Sequence, residues 1–260
     1  MEPKIPKIIH YCWFGGNPKP QLVLRCIESW KKYCPDFEII EWNEGNYDIH
    51  SNLFVEEAYL AKKWAFVSDY IRGEILLQRG GIYLDTDMEL LQPLLPLLEH
   101  SFFAGFEARD TIASCIIGCC KENEIMRLYF DYYKGKHFCR KNFEGITTSP
   151  IVLTKVLKDR GVKMNGKKQF AFDYVVYPKR VFIPSGIGWV VGYYSRETIG
   201  IHHFMDSWGK NPGLAERSWL SKLRLCLLNY ARDLLGTSKV YEIGLRRQKN
   251  RQAIQCQSKE

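Results

Sequence analysis

Hydrophobic and polar positions along the first hundred residues switch between two periods. The run KIIHYCWFG (7–15) is short and almost wholly apolar, and Gly15-Gly16 and Pro18 close it, which predicts a buried strand. Next, Leu22, Leu24, Ile27 and Trp30 recur at helical spacing in QLVLRCIESWKKYC, and FEIIEWNE reads as a second strand. Residues 54–79 carry Ala61, Trp64, Val67, Ile71 and Ile75 on one stripe, which predicts a single long helix stopped by Gly80-Gly81. The run IYLD is then a strand.

Beyond it, SFFAGFE, IASCIIG, VVYPKRVFIP and TIGIHHF read as strands, and residues 122–134 and 149–160 as helices, the latter opening at Ser149-Pro150. Strand–helix alternation of this kind argues an α/β fold with a largely parallel sheet flanked by helices. A last helix is expected over 214–235, with Trp219, Leu223, Cys226, Leu227, Tyr230 and Leu234 on one stripe. The chain is thus read as a body, 1–213, followed by an amphipathic helix and tail, 214–260.

Composition narrows the class. Of 260 residues 46% are hydrophobic and 25% charged, which excludes a disordered or fibrous chain. No apolar run approaches the roughly 20 residues of a membrane span. The opening segment, whose apolar run ends at Gly15-Gly16, lacks the form of a secretory signal. Nine cysteines without a repeated CxxC read as reduced thiols, most of them small core residues, in a cytosolic compartment. The net charge of +8 is uneven, with +6 of it in residues 211–260. The apolar stripe of 214–235 fits a helix packed on the domain, and the basic, amphipathic end also suits an anionic membrane surface; nucleic acid is not the expected partner, because the body lacks the interleaved aromatic and basic clusters of an RNA module.

The chemistry concentrates at GGIYLDTDME (80–89). Ligands of open α/β sheets bind beyond the carboxyl ends of strands, where Asp85 and Asp87 stand. Two adjacent carboxylates repel unless a cation neutralises them. Mg²⁺ or Mn²⁺ does so with one or two carboxylates plus substrate phosphate. D-x-D alone is common in loops, but three other segments strengthen it. Asp69 and Arg72 share a helix face at i, i+3, a pair that contributes little if it lies at the surface. Trp13 ends the first strand beside glycines and can stack on a base. In IHHFMDSWGKNPG (201–213) a neutral His can complete a metal site, while Ser207 and the Trp208 indole can donate hydrogen bonds to phosphate.

Together, IPKIIHYCWFGG, AFVSDYIRGEILLQRGGIYLDTD and IHHFMDSW resemble glycosyltransferase family 32, a DXD-containing sugar-transfer family, over roughly Ile5 to Trp208. ITTSPIVLT resembles its acceptor-side segment, with Ser149 where glycine is usual, and IASCIIG departs from it by lacking an asparagine. The resemblance implies a GT-A-type catalytic domain over 1–213, a nucleotide-sugar donor, a divalent metal and transfer with retention. It also implies that Asp87 ligates the metal, Asp85 holds the ribose and the metal shell, and Asp69 and Arg72 hold donor hydroxyls. Trp13 would stack on the base, with Tyr83 among the donor-binding residues. His202, rather than His203, would join the metal, and Ser207 and Trp208 would hold the β-phosphate.

The expected activity is hexose transfer from a UDP-sugar, with GDP as the other carrier, to a lipid-linked glycan in surface or capsular polysaccharide synthesis on the cytosolic face of a membrane. The alternatives are a protein acceptor, as for an effector or toxin, and a non-enzymatic nucleic-acid-binding protein.

Overall fold

The computed structural model describes residues 3–138, 148–184, 194–205 and 218–235. Its strands are β1 (Ile8–Cys12), β2 (Glu38–Trp42), β3 (Gly81–Leu84), β4 (Met88–Leu90), β5 (Phe102–Ala108), β6 (Thr111–Cys119), β7 (Gln169–Ala171), β8 (Tyr174–Tyr177) and β9 (Gly200–His202). Its helices are α1 (Gln21–Tyr33), α2 (Leu53–Leu60), α3 (Trp64–Arg79), α4 (Glu124–Asp131), α5 (Ser149–Asp159) and α6 (Trp219–Leu235).

Seven strands form one sheet in the order β2-β1-β3-β6-β5-β8-β7. The pairs β1–β2, β1–β3 and β5–β8 are parallel, whereas β6 opposes both β3 and β5, and β7 opposes β8. Five strands therefore point one way and only β6 and β7 against them, which gives the sheet one dominant carboxyl edge. Alternate residues face opposite sides of a strand. Accordingly Tyr83 packs into the apolar core that includes residues of α2, α3, α4 and α5, while Ile82 and Leu84 enter the core that includes α1 and β4.

The expected single helix over 54–79 is two helices. Lys62 takes φ 55°, and the Lys63 N–H bonds back to the Ala58 carbonyl, so the chain turns between Leu60 and Trp64. The turn sets the Trp64 indole against Gly15, where an added Cβ would meet it at 2.7 Å, and against Tyr59 at a centroid distance of 5.1 Å. Tertiary packing overrides a stripe that local periodicity would have continued. Likewise VVYPKRVFIP is a strand only to Tyr177. Pro178 has no N–H to donate, and a 3₁₀ turn, Lys179–Val181, follows. TIGIHHF contracts to β9, paired antiparallel with β4 as a two-stranded ribbon. Neither β4 nor β7 was expected, each having three residues and too little pattern to register. All seven described cysteines are free, and six are buried.

The glycine pair after α3 is required by the backbone. Gly80 and Gly81 have φ of 67° and 97°. A Cβ on Gly80 would approach the Lys121 nitrogen to 2.6 Å, and one on Gly81 the Ile8 carbonyl to 2.8 Å. The His10 ring lies between the two neighbouring strands. Its Nε2 meets the Gly80 carbonyl at 2.9 Å, and its Nδ1 accepts from the Trp42 indole at 3.3 Å. Helix α3 thus ends where β3 can begin at once, and β3 delivers Asp85 to the carboxyl edge.

Candidate active site

Three segments converge beyond the end of β3. The first is the turn Asp85–Met88, closed by the Met88 N–H to the Asp85 carbonyl at 2.9 Å and tied to β6 by the Asp85 N–H to the Cys115 carbonyl at 2.9 Å. Buried Trp30 of α1 supports it, donating its indole N–H to the Met88 carbonyl at 2.6 Å. The second is α3, which brings Asp69 and Arg72. The third is the end of β9, set by the register Met88↔His202.

Arg72 organises the inner wall. It is 2% exposed, so its pair with Asp69 is not the weak surface contact considered from spacing. Its Nη2 lies 3.2 Å from Asp69 Oδ1 and 3.1 Å from Asp85 Oδ1. It also donates through Nη1 to the Ser114 carbonyl at 2.7 Å and through Nε to the Ser68 carbonyl at 3.2 Å. The Tyr83 ring sits 4.4 Å from the guanidinium carbon and is 2% exposed. Tyr83 thus lies against the guanidinium from inside the core. A planar guanidinium suits this role because it satisfies several acceptors in fixed directions.

Asp69 Oδ2 accepts the Ser149 N–H, at the start of α5, at 3.3 Å. Burial pushes its carboxyl up to about 6, against the pull of Arg72. Ser149 is fully buried, and its hydroxyl meets the Tyr129 hydroxyl at 2.7 Å, which in turn donates to the Asp69 carbonyl at 2.8 Å. The serine departure from the family pattern is thus part of the packing behind Asp69. Periodicity gave no signal for this contact.

The outer wall is the triad Asp85, Asp87 and His202, whose ligand atoms lie within 4.8 Å of one another. His202 Nε2 is 3.1 Å from Asp87 Oδ1 and 3.9 Å from Asp85 Oδ2. Asp87 Oδ2 accepts the Met205 N–H at 2.6 Å, and the Asp87 carbonyl accepts the His203 N–H at 3.1 Å. The two carboxylates are unequal: the Asp87 side chain is 7% exposed and that of Asp85 24%. Burial raises Asp85, whereas His202 and the Met205 N–H hold Asp87 below the usual carboxylate range despite its burial. The paired carboxylates lift His202 to about 9 against its own desolvation.

His203 turns away, its Nε2 2.7 Å from Glu89 Oε2. Of the two histidines, the structure brings His202 to the aspartates. Phe204, missed by sequence reasoning, takes φ 50° and sets its ring, tilted by 54°, with its centroid 4.3 Å from that of His202. Nothing short of the three-dimensional arrangement marks Phe204, because a positive φ at phenylalanine has no sequence signal.

Trp13 follows the carboxyl end of β1, and its N–H is bonded to the Trp42 carbonyl of β2 at 2.9 Å. Trp13 is partly buried, and its indole donates to the Asn17 carbonyl at 2.7 Å. Ser207, Trp208 and Lys210 lie outside the described residues.

The donor set of two carboxylates and one imidazole fits a divalent cation, with Arg72 holding the other oxygen of Asp85. The Nδ1 of His202 is buried and has no hydrogen-bond partner among the described residues. This leaves Nε2 as the nitrogen aimed at the carboxylates. A cation held there would need the imidazole neutral.

Residues 20–104 match the family model described as "Glycosyltransferase sugar-binding region containing DXD motif". This stretch, about a third of the chain, is similar to a DXD sugar-binding region. That glycosyltransferase match takes in Asp69, Arg72, Asp85 and Asp87, while Trp13 and His202 fall outside it. Among curated proteins the chain is 25% identical over 178 residues to "Subversion of eukaryotic traffic protein A" of Legionella pneumophila, covering 55% of this chain and 27% of that one. The chain thus spans about a quarter of that relative's length. Among solved structures it is similar to the PaToxG glycosyltransferase (19% identity, TM-score 0.45, 61% of this chain and 70% of that one). It is also similar to the galactosyltransferase LgtC with donor and acceptor sugar analogues (12% identity, TM-score 0.45, 84% and 95%). No described helix is long and apolar enough to cross a membrane.

Proposed function

We propose that this glycosyltransferase moves a hexose from a nucleotide-diphosphate sugar, with UDP as the carrier, to a lipid-linked glycan of a surface or capsular polysaccharide. Residues 1–213 serve as the transfer domain, and 214–260 as a segment that meets the cytosolic face of an anionic membrane. The observation that carries the reading is the convergence of Asp85, Asp87 and His202 within 4.8 Å on the carboxyl edge of the sheet, with Arg72 buried behind Asp85.

Asp87, Asp85 and His202 would hold Mn²⁺ or Mg²⁺, which supplies positive charge against the departing diphosphate. Asp85, fixed by Arg72 and more exposed than Asp87, is free to share its outer oxygen with the ribose. Trp13 offers a ring to the base. Ser207 and Trp208 donate to the β-phosphate, where negative charge grows as the glycosidic bond breaks. Asp69, with Arg72, orients donor hydroxyls. Asp69 is engaged on one oxygen by Arg72 and on the other by the Ser149 N–H, which makes it a poor nucleophile. This supports front-face transfer. The acceptor hydroxyl bonds to the anomeric carbon on the side the diphosphate leaves, its proton passes to the departing phosphate oxygen, and configuration is retained. A trapped covalent glycosyl-enzyme would overturn this route.

Membrane contact is supported by the exposed Leu220, Leu227, Leu228, Tyr230 and Leu234 of α6 and by the +6 charge of residues 211–260. Removing residues 236–260 is expected to reduce sedimentation with anionic vesicles while sparing donor hydrolysis; unchanged sedimentation would refute the membrane role of the tail.

The test of the activity is turnover across a panel of nucleotide sugars with and without Mn²⁺. Metal-dependent hydrolysis or transfer of one donor supports the reading, and no turnover of any donor defeats it. A protein acceptor is favoured by the curated relative, which is named for subverting eukaryotic traffic. Labelled donor incubated with lysate separates the two: label in the lipid extract supports the first reading, and label on protein supports the second.

A further inference from the structure

A second concave site lies on the same carboxyl edge as the DXD turn, farther along the sheet. Three segments build it: the β5–β6 turn with Arg109, the 163–167 loop with Asn165, Gly166 and Lys167, and the start of the 3₁₀ turn after β8 with Lys179 and Arg180. The cavity is about 560 Å³, and its lining holds four cationic side chains and no carboxylate. Arg180 is paired outside the lining with Glu197 at 2.5 Å.

The loop is shaped in advance. The Gln169 side-chain amide donates to the carbonyls of Lys163 at 2.8 Å and Lys167 at 3.3 Å, and the Lys167 N–H donates to Asn165 Oδ1 at 2.9 Å. Gly166, at φ 72°, lets this loop approach the Arg109 backbone; an added Cβ would lie 3.4 Å from Arg109 Cα. Cations scattered over a convex surface only aid solubility. Cations drawn from three segments into one hollow without a carboxylate in its lining give it a positive potential that favours an anion, and the Arg109 guanidinium is steadied by the Leu234 carbonyl of α6 at 3.5 Å. Arginine and lysine together suit phosphate oxygens.

Position supplies the rest of the argument. β5 and β8 run parallel to β3 and stand two and three strands from it in the sheet order. At about 4.8 Å per strand the hollow lies about 10–15 Å to the side of the aspartate turn. A glycan can bridge that gap with its free hydroxyl at the donor and its phosphorylated end in the hollow.

We infer that the hollow lined by Arg109, Lys167, Lys179 and Arg180 is an acceptor subsite that binds a phosphate or diphosphate group at the reducing end of the acceptor. Naming the occupant an acceptor rests on the transferase reading above; binding of the anion does not.

Calorimetric titration of the full chain with inorganic pyrophosphate in EDTA keeps metal off the aspartate triad. It is expected to show salt-sensitive binding. Arg109→Ser with Lys167→Ser should weaken that binding by about a hundredfold, about tenfold for each cation removed. Asp87→Asn should leave it unchanged. Equal binding by the double variant, or loss of binding in Asp87→Asn, would overturn the site. Displacement of pyrophosphate by vesicles containing phosphatidic acid supports a lipid-borne phosphate, and displacement by glucose 1-phosphate alone supports a soluble one. Displacement by neither refutes the acceptor role. The titration needs no turnover, so its failure and a failed donor screen are separate results.

Discussion

Arg72 is the residue on which the site depends most. It is nearly fully buried and faces two carboxylates, two backbone carbonyls and the Tyr83 ring. Removing one partner of a buried charge cluster leaves the others uncompensated. Arg72→Met is therefore expected to destabilise the fold by about 3–5 kcal/mol, read by chemical denaturation. Asp87→Asn is expected to separate chemistry from folding. It keeps an acceptor for the Met205 N–H but removes the charge opposite His202. Metal-dependent donor turnover should vanish while unfolding stays cooperative; normal turnover by this variant would remove Asp87 from the metal. Asp69 and Arg72 were visible as an i, i+3 pair, but their depth was not, because spacing on a helix says nothing about what packs above it.

At the level of elements, the aspartate turn is held from outside its own strand. The Trp30 indole of α1 reaches the Met88 carbonyl, and the Ser29 hydroxyl accepts the Leu90 N–H at 2.9 Å. Trp30→Phe removes the first bond and leaves a buried carbonyl unpaired. It should cost about 1–3 kcal/mol and lower turnover, with denaturation and donor kinetics measured on the same preparation. The α3–β3 junction is equally specific. Gly81→Ala places a Cβ against the Ile8 carbonyl in a backbone conformation that side chains disfavour, and should cost more than about 1 kcal/mol by thermal unfolding. An unchanged melting curve would show that the junction relaxes. The glycine stop was legible because it is a local rule. The break between α2 and α3 was not, because the chain turns there at Lys62 without glycine or proline, to seat Trp64 against Gly15 and Tyr59.

For the whole molecule, one pH response runs through His10, which joins β1, β2 and the end of α3. Burial lowers its pKa from 6.5 to about 4. Accepting the Trp42 N–H on Nδ1 also favours the neutral ring. The folded state then binds fewer protons than the unfolded state between these values. The stability that neutral His10 supports is full above pH 6.5 and falls as pH drops towards 4, by about 3 kcal/mol at most. The difference in unfolding free energy between wild type and His10→Asn, measured across this window, should show that slope; a constant difference would contradict it.

The sequence alone determined the α/β class, most of its elements, and the association of the aspartate pair with Asp69, Arg72 and a histidine. Periodicity, glycine stops and motif spacing are properties of neighbouring residues, and they survive without a fold. The depth of Arg72 and Asp69, the turning of His203 towards Glu89, the contact of Phe204 with His202 and the cationic hollow at Arg109 were decided only in three dimensions. Each depends on strand register or on segments tens of residues apart meeting at one edge of the sheet. Chain order does not encode that proximity until the core has packed.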